Sequence, residues 1–257
     1  MLTPPEIARS LLAAGESKAR LPFGKMLLLA ILAGAYIALA GVGATAAAVT
    51  VESGSLAKLL SAYVFPAGLS MVILAGSELF TGNCLMVMAL LERRITPAQL
   101  LRNWLTVYLG NAVGGAAVAA LAVYSHTASL FGDGLARSMV SIAESKAALG
   151  AGDAFLRGVL CNFLVCLAVW MAAASKHAEG KVIALLFPVL LFVHCCYQHL
   201  IANLYYPPAG AFAAAEYGME TTLTLADCLK NLAAVTLGNL VGGAALGVGY
   251  RFAYLKE

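Results

Sequence analysis

Long apolar runs separated by short charged clusters organise this chain. Residues 26–50, 57–91, 100–124, 154–175, 182–206 and 229–250 are each mostly apolar, and each supplies the roughly 17–25 residues that a membrane-crossing helix needs. The pattern predicts an all-α membrane protein with six transmembrane helices. Two runs are irregular. The second, drawn as one straight helix, would stretch about 52 Å at 1.5 Å per residue, well beyond a ~30 Å hydrocarbon core. Its excess surrounds Gly76-Ser77-Glu78-Leu79-Phe80-Thr81-Gly82-Asn83, which places a carboxylate, two hydroxyls and an amide at membrane depth. The fifth is interrupted by Tyr197-Gln198-His199-Leu200-Ile201-Ala202-Asn203. Both read as helix–loop–helix, because non-helical backbone at that depth survives only when it is buried in protein or lines a cavity.

The segment Leu109-Gly110-Asn111-Ala112-Val113-Gly114-Gly115-Ala116-Ala117 returns 128 residues later as Leu237-Gly238-Asn239-Leu240-Val241-Gly242-Gly243-Ala244-Ala245, identical at eight of nine positions. The copies fall in the third and sixth runs, so each repeat (26–124 and 154–250) holds three spans. An odd number per repeat makes the second copy enter the membrane in the opposite sense, giving two inverted three-helix repeats with interruptions at matching places in the second and fifth spans. That arrangement points to a transport pathway at the repeat interface. The repeated glycines allow close helix packing. Asn111 and Asn239 are amides in apolar helices that need internal partners, and they are expected to brace the neighbouring broken helices. Glu78 is expected to cap its loop by accepting backbone N–H bonds, with Asn203 supporting the second loop.

Composition agrees with a membrane protein: 61% of residues are apolar and 11% charged, against about 45–50% and 25% in soluble domains. The net charge of +3 is too small to argue for nucleic acid. Across the six spans, eleven Lys and Arg residues fall on the side of the termini and five on the other, which puts both termini in the cytoplasm. Residues 3–17 read as an amphipathic helix capped by Thr3, with Ile7, Leu11 and Leu12 on one face, forming a cytoplasmic or interfacial helix over 1–20 rather than a signal peptide. Lys18 and Arg20 are expected to anchor it at the headgroups. The loops 125–152 and 207–227 suffice for a vestibule rim, leaving one domain over 1–257. Six cysteines read as small apolar fillers. No metal-ligand or cofactor pattern, no nucleophile constellation and no GxxxxGK[ST] sequence is present, which argues against an enzyme and against an ATP-driven pump.

Gly76-Ser77-Glu78-Leu79-Phe80-Thr81-Gly82-Asn83 is followed by Asn103-Trp104-Leu105-x-x-Tyr108-Leu109-Gly110-Asn111. Next come Gly158-Val159-Leu160-Cys161-Asn162-x-Leu164-Val165-Cys166-Leu167-Ala168-Val169-Trp170-Met171, His199-x-Ile201-Ala202-Asn203 and Val235-Thr236-Leu237-Gly238-Asn239. In this order, over about 20–250, the chain resembles the formate/nitrite transporter family. The resemblance implies an aquaporin-like fold and a homopentamer with one pore per protomer, in a bacterial-type cytoplasmic membrane. It implies small monovalent anions as cargo: formate, nitrite or, in one branch, hydrosulfide. It also implies a central pore histidine, His199, held by Thr81 and Asn162, with apolar constrictions at Phe65, Leu69, Leu79, Phe80 and Phe192 and a vestibule lysine at Lys146. One departure is Gln198, where the family commonly has glutamate before the histidine.

The residues themselves support such chemistry. A bare anion entering hydrocarbon loses several kcal/mol of hydration, so a pore must replace that hydration or neutralise the ion. His199 offers an N–H donor when neutral and a positive charge when protonated. A weak-acid anion that takes up a proton crosses apolar gates as the neutral acid. An isolated intramembrane histidine also fits a purely structural hydrogen bond, but the paired interruptions favour a part in conduction. By composition alone the five constriction residues read as core, a reading the resemblance reverses for Phe65, Leu79 and Phe192; Thr81 and Asn162 also fit groups satisfying broken-helix backbone, and Lys146 a solvated charge. A neutral-solute channel of the aquaporin kind shares the architecture, but paired Asn-Pro-Ala motifs are absent.

Overall fold

The computed structural model describes residues 1–256, and all regular structure among them is helical. The helix starts are written in the sequence. Thr3 and Glu6 close a capping box at the head of α1 (Pro4–Ala19), with Pro4 and Pro5 in the first turn. Thr96 and Gln99 do the same for α7 (Pro97–Tyr124): Gln99 N–H donates to Thr96 Oγ1 at 3.2 Å and Thr96 N–H to Gln99 Oε1 at 2.8 Å. At the head of α13 (Leu225–Tyr254), Thr224 Oγ1 accepts from Asp227 N–H at 3.1 Å. Each cap satisfies an N–H that the first helical turn would leave without a partner.

Five helical stretches are long and apolar enough to cross a membrane: α2 (Phe23–Ala48), residues Gly54–Ala75, α7, α9 (Ala151–Ala173) and α13. Gly54–Ala75 is two helices, α3 (Gly54–Val64) and α4 (Pro66–Ala75), meeting at Phe65. Beyond a loop the chain resumes as α5 (Phe80–Asn83), a 3₁₀ turn and α6 (Val87–Leu91). The run expected over 182–206 is also divided, into the 17-residue α10 (Ala178–His194), the single turn α11 (Leu200–Asn203) and α12 (Tyr206–Glu216). α8 (Gly134–Ala147) lies between α7 and α9 in the chain and packs on α12.

The duplicated segments make matching contacts. α7 lies against α2 so closely that a methyl group at Gly114 would collide with the Ile31 carbonyl, and α13 lies against α9 so that one at Gly242 would collide with the Val159 carbonyl. Without a hydrophobic drive between helices in lipid, such backbone contact is a principal source of cohesion. The opposite faces expose Leu105, Leu109 and Val113 on α7 and Leu229, Leu237 and Val241 on α13. The N-terminal helix is docked on protein: Ile7 and Ala8 are buried with Met88 and Trp170, and Leu12 packs against Met86 and Ala19. Its apolar stripe is therefore covered by α6 and α9 rather than by headgroups.

Candidate functional site

The two interruptions are built alike. Gly76, at φ 77°, ends α4, and Ser77 N–H donates back to the Val72 carbonyl at 3.0 Å. Glu78 N–H reaches across to the Leu29 carbonyl at 3.2 Å. Asn111 fills the gap: its Oδ1 accepts the Phe80 N–H at 3.0 Å, and its Nδ2 donates to the carbonyls of Glu78 and Ala30 at 2.9 and 2.7 Å. In the second interruption Cys196 takes the left-handed backbone at φ 56°, Tyr197 N–H donates to Phe192 O at 2.9 Å and Gln198 N–H to Arg157 O at 3.3 Å. Asn239 Oδ1 accepts Leu200 N–H at 2.9 Å, while its Nδ2 donates to the Gln198 and Gly158 carbonyls, both at 2.9 Å. One buried amide thus answers two backbone groups of each break, where leaving them unpaired is costly, and ties the loop to a carbonyl of the adjacent helix, Ala30 in α2 or Gly158 in α9.

Beside each loop runs a row of polar side chains. Glu78 accepts from Lys18 Nζ at 2.6 Å and Asn83 Nδ2 at 2.7 Å, and Asn83 Nδ2 also reaches Asn103 Oδ1 at 2.9 Å. In the second row Gln198 Oε1 accepts from Lys146 Nζ at 3.3 Å and Asn203 Nδ2 at 3.0 Å. Asn203 Oδ1 takes a second bond from Lys146 at 2.7 Å, and Asn203 Nδ2 reaches Asn231 Oδ1 at 2.8 Å. Desolvation by burial pulls the Lys146 ammonium down from its ordinary value to about 8.

Between the rows sits His199, buried at 3% exposure. Its Nδ1 accepts the Ala202 N–H at 3.3 Å, capping α11, and its Nε2 lies 3.0 Å from Thr81 Oγ1. With Nδ1 committed as an acceptor, the neutral ring carries its hydrogen on Nε2 and donates it to Thr81. The Thr81 hydroxyl hydrogen is then free to donate onward. The ring stacks on Phe192 (centroids 5.6 Å apart), which meets Phe65 edge-on at 5.9 Å.

Two cavities approach this cluster. One, of about 400 Å³, is lined by Phe65, Phe192, His199, Gln198, Lys146 and Arg157. The other, of about 570 Å³, is lined by Leu69, Val72, Leu79, Glu78 and Lys18. Phe65 and Phe192 wall the first cavity beside His199, and Leu69 and Leu79 wall the second; all four are buried to 3–4% exposure.

Several expectations are corrected. Phe80 lines neither cavity: its N–H is held by Asn111, and its ring packs on Trp104 and Tyr108 of α7, with centroids 6.2 and 5.5 Å away. Asn162 does not hydrogen-bond His199. Its Nδ2 donates to the carbonyls of Thr81 at 3.2 Å and Asn239 at 2.7 Å, so it positions the residue that holds the histidine. The Glu78 carboxylate binds the side chains of Lys18 and Asn83 rather than backbone N–H groups, and Lys18 accordingly points into the protein instead of anchoring at headgroups. Asn83 stood out as the amide of its interruption, but its link to Asn103, and that of Asn203 to Asn231, did not. Their signal was there: Asn103 and Asn231 are 128 residues apart, as are Lys18 and Lys146, while Asn83 and Asn203 are separated by 120. Among the described residues no group of three His, Cys, Asp or Glu is arranged to hold a metal ion.

Comparison with known proteins gives a consistent answer. Residues 5–253 match the model of the formate/nitrite transporter family. A probable formate transporter of Methanothermobacter thermautotrophicus is 37% identical over 99% of this chain and 98% of its own. The formate channel FocA of Haemophilus influenzae is 38% identical over 86% of this chain and 84% of its own. Among solved structures, an FNT family ion channel superposes with a TM-score of 0.86 at 31% identity, covering 96% of this chain and 98% of its own. A pentameric formate channel with formate bound superposes at 0.81 and 32% identity, covering 91% and 98%. The chain belongs to the formate/nitrite transporter family.

Proposed function

We propose that this protein conducts formate, and by the same chemistry nitrite, across the membrane, each protomer of a homopentamer carrying its own pathway. The observation that carries this reading is His199, bonded to Thr81 and lining the Lys146 cavity beside the buried apolar side chains Phe65 and Phe192. The formate channels among its relatives, one of them pentameric with formate bound, support the choice of cargo. The architecture we infer is a single domain over 1–257 with six spans, in two inverted repeats (26–124 and 154–250), in a cytoplasmic membrane. Both termini lie in the cytoplasm, as the distribution of basic residues favours.

In the conduction step an anion arriving in the Lys146 cavity meets the aromatic pair Phe65 and Phe192. Apolar walls exclude hydrated inorganic ions, which protects ion gradients. A carboxylate or nitrite passes because donors replace part of its hydration at the narrowest point. His199 Nε2–H polarises Thr81 Oγ1, and the Thr81 hydroxyl presents its hydrogen to the anion. A proton delivered by hydronium from the water of the Lys146 cavity, which leaves water behind, neutralises the anion there and removes most of the desolvation cost. The neutral acid then crosses Leu69 and Leu79 into the Lys18 cavity and ionises again in water. Asn162 keeps Thr81 in place, while Asn111, Asn239, Glu78 and Asn203 hold the loops open against the helices.

Reconstitution in liposomes tests the reading directly: formate and nitrite uptake are measured over a pH series for wild type and His199→Ala. Uptake is expected in the wild type and to be lost or altered in pH response and anion preference in the variant. Unchanged transport in the variant would remove His199 from the mechanism.

A further inference from the structure

A third cavity lies outside the conduction machinery. It holds about 560 Å³, within the range of small-molecule sites, and sits where α2 ends and where α3 and α8 begin. None of Lys146, Gln198 or His199 lines it. Lys58, Ser61 and Ser141 stand on the wall it shares with the Lys146 cavity, whereas Thr50, Phe131 and Arg137 belong to it alone. Its lining carries two cations, Lys58 and Arg137, and no carboxylate. Among the described residues neither cation takes part in an ion pair. The hydroxyls of Thr45 and Ser138 are spent on the carbonyls of Gly41 and Gly134, leaving those of Thr50, Ser61 and Ser141 without a protein acceptor among the described residues.

The Arg137 guanidinium is held in place. Its Nη2 donates to the Gly132 carbonyl, in a turn where Phe131, Gly132 and Asp133 take φ of 60°, 59° and 62°. Left-handed backbone is unfavourable for residues that carry a Cβ, and here it fixes the guanidinium at the cavity wall. A guanidinium fork, an ammonium and three hydroxyls, with no acid among them, suit a phosphate group, whose several oxygens accept bonds on every side. A planar anion with two oxygens would leave most of these donors unused. α2 crosses the membrane and ends at Ala48, which also lines the cavity. On the six-span reading above, the cavity therefore lies at the boundary of hydrocarbon and water on the side away from the termini, the depth of phospholipid phosphates. Leu130 and Phe131, exposed beside it, offer apolar surface to the carbons of such a lipid.

We propose that Lys58, Arg137 and the hydroxyls of Thr50, Ser61 and Ser141 form a phosphate-binding site, distinct from the His199 site, whose ligand is the phosphate of a phospholipid headgroup or free inorganic phosphate.

Binding is measured on the full-length protein in neutral detergent, with retained phosphatidylglycerol counted by native mass spectrometry and radiolabelled inorganic phosphate by equilibrium dialysis. Wild type is expected to bind one ligand per protomer. Retention of the lipid with little affinity for the free ion supports the site and identifies a headgroup; saturation by the free ion without retained lipid supports it and identifies inorganic phosphate. Arg137→Gln and Lys58→Gln are each expected to weaken binding by about tenfold. Arg137→Lys keeps the charge and loses the fork, and should weaken it by a few-fold. Arg137 is exposed, so its replacement tests the ligand rather than the fold. Lys146→Met, in the neighbouring cavity, is expected to leave binding unchanged, which separates this site from anion capture beside His199. No binding of either probe to wild type, equal binding in wild type and Arg137→Gln, or loss in Lys146→Met with retention in Arg137→Gln would overturn the proposal. Displacement of the lipid by oleate, a carboxylate amphiphile, as readily as by phosphatidic acid would overturn the assignment to phosphate.

Discussion

The two interrupted helices share a skeleton and differ in what they present. Each break ends on a left-handed residue, Gly76 or Cys196, each sends one N–H across to a neighbouring carbonyl, and each is filled by one asparagine of the duplicated segment. The side chains at the ends of the loops are not duplicated: Leu79 stands where His199 stands in the other, and Glu78 where Gln198 stands. Duplication preserved what keeps backbone satisfied inside a membrane, a requirement both halves face equally. The chemistry was placed once. A second imidazole at Leu79 would put a second polar group in the apolar barrier and weaken its exclusion of hydrated ions.

The largest effect is expected from making the loops alike. His199→Leu gives the second break the residue of the first, removing the N–H that orients Thr81. Formate uptake in liposomes should fall roughly a hundredfold or more, because the Thr81 hydroxyl, no longer oriented or polarised by the imidazole, then offsets little of the several kcal/mol of desolvation at the constriction. The pentamer should remain intact by size-exclusion chromatography. Substantial flux through the variant would mean that the asymmetry between Leu79 and His199 is incidental.

The shared skeleton is tested by Asn111→Ala and Asn239→Ala. Each strands two buried backbone groups of its break, and each should lower stability by about 2–3 kcal/mol in denaturant titrations. The comparison predicts similar losses. A large loss in one and none in the other would show that the two breaks are held by different means.

Much of this was legible in the sequence because it follows from periodicity and repetition. The over-long second run and the interrupted fifth announced their breaks, and the repeated LGNxVGGAA segment announced the bracing amides by placing polar groups where lipid forbids free ones. What the sequence did not disclose was direction. Leu79 and Phe80 are adjacent and equally apolar, yet only Leu79 reaches a cavity, since the Asn111 bond to Phe80 N–H fixes the turn that sends the ring toward Trp104. Asn162 acts through the Thr81 carbonyl, a contact 81 residues away that no local pattern encodes. The Lys18–Glu78 pair was hidden for the same reason, as it joins the N-terminal helix to a loop 60 residues on.

A pH series sharpens the contrast between the two lysines. Lys146 is pulled down to about 8 by burial and has no carboxylate partner. Below that value it is charged and attracts anions; above it the charge is lost. The half-saturating formate concentration should therefore rise several-fold between about pH 7 and pH 9, a range in which formate itself stays ionised. Cys161, Cys196, Tyr206, Lys58 and Arg157 also lie near this ammonium. For that reason the assignment is made by Lys146→Met, which should flatten the profile. A wild-type profile already flat across this range would count against a role for Lys146 in gathering the anion.

The smallest effect concerns the left-handed residues at which α4 and α10 give way to their loops. A methyl group at Gly76 would meet no atom within 4 Å, so Gly76→Ala probes the backbone at φ 77° alone and should cost about 1 kcal/mol. Cys196 already bears that cost, at φ 56° with a side chain. Cys196→Gly removes the steric conflict but gives the unfolded chain more freedom, and the net should be a gain of about 0.5 kcal/mol. Opposite signs at two matched positions are a signature that neither packing loss nor general destabilisation produces. If Cys196→Gly instead costs stability as Gly76→Ala does, the thiol makes a contribution at the Lys146 cavity that its partner position lacks, and the equivalence of the two loops ends at that residue.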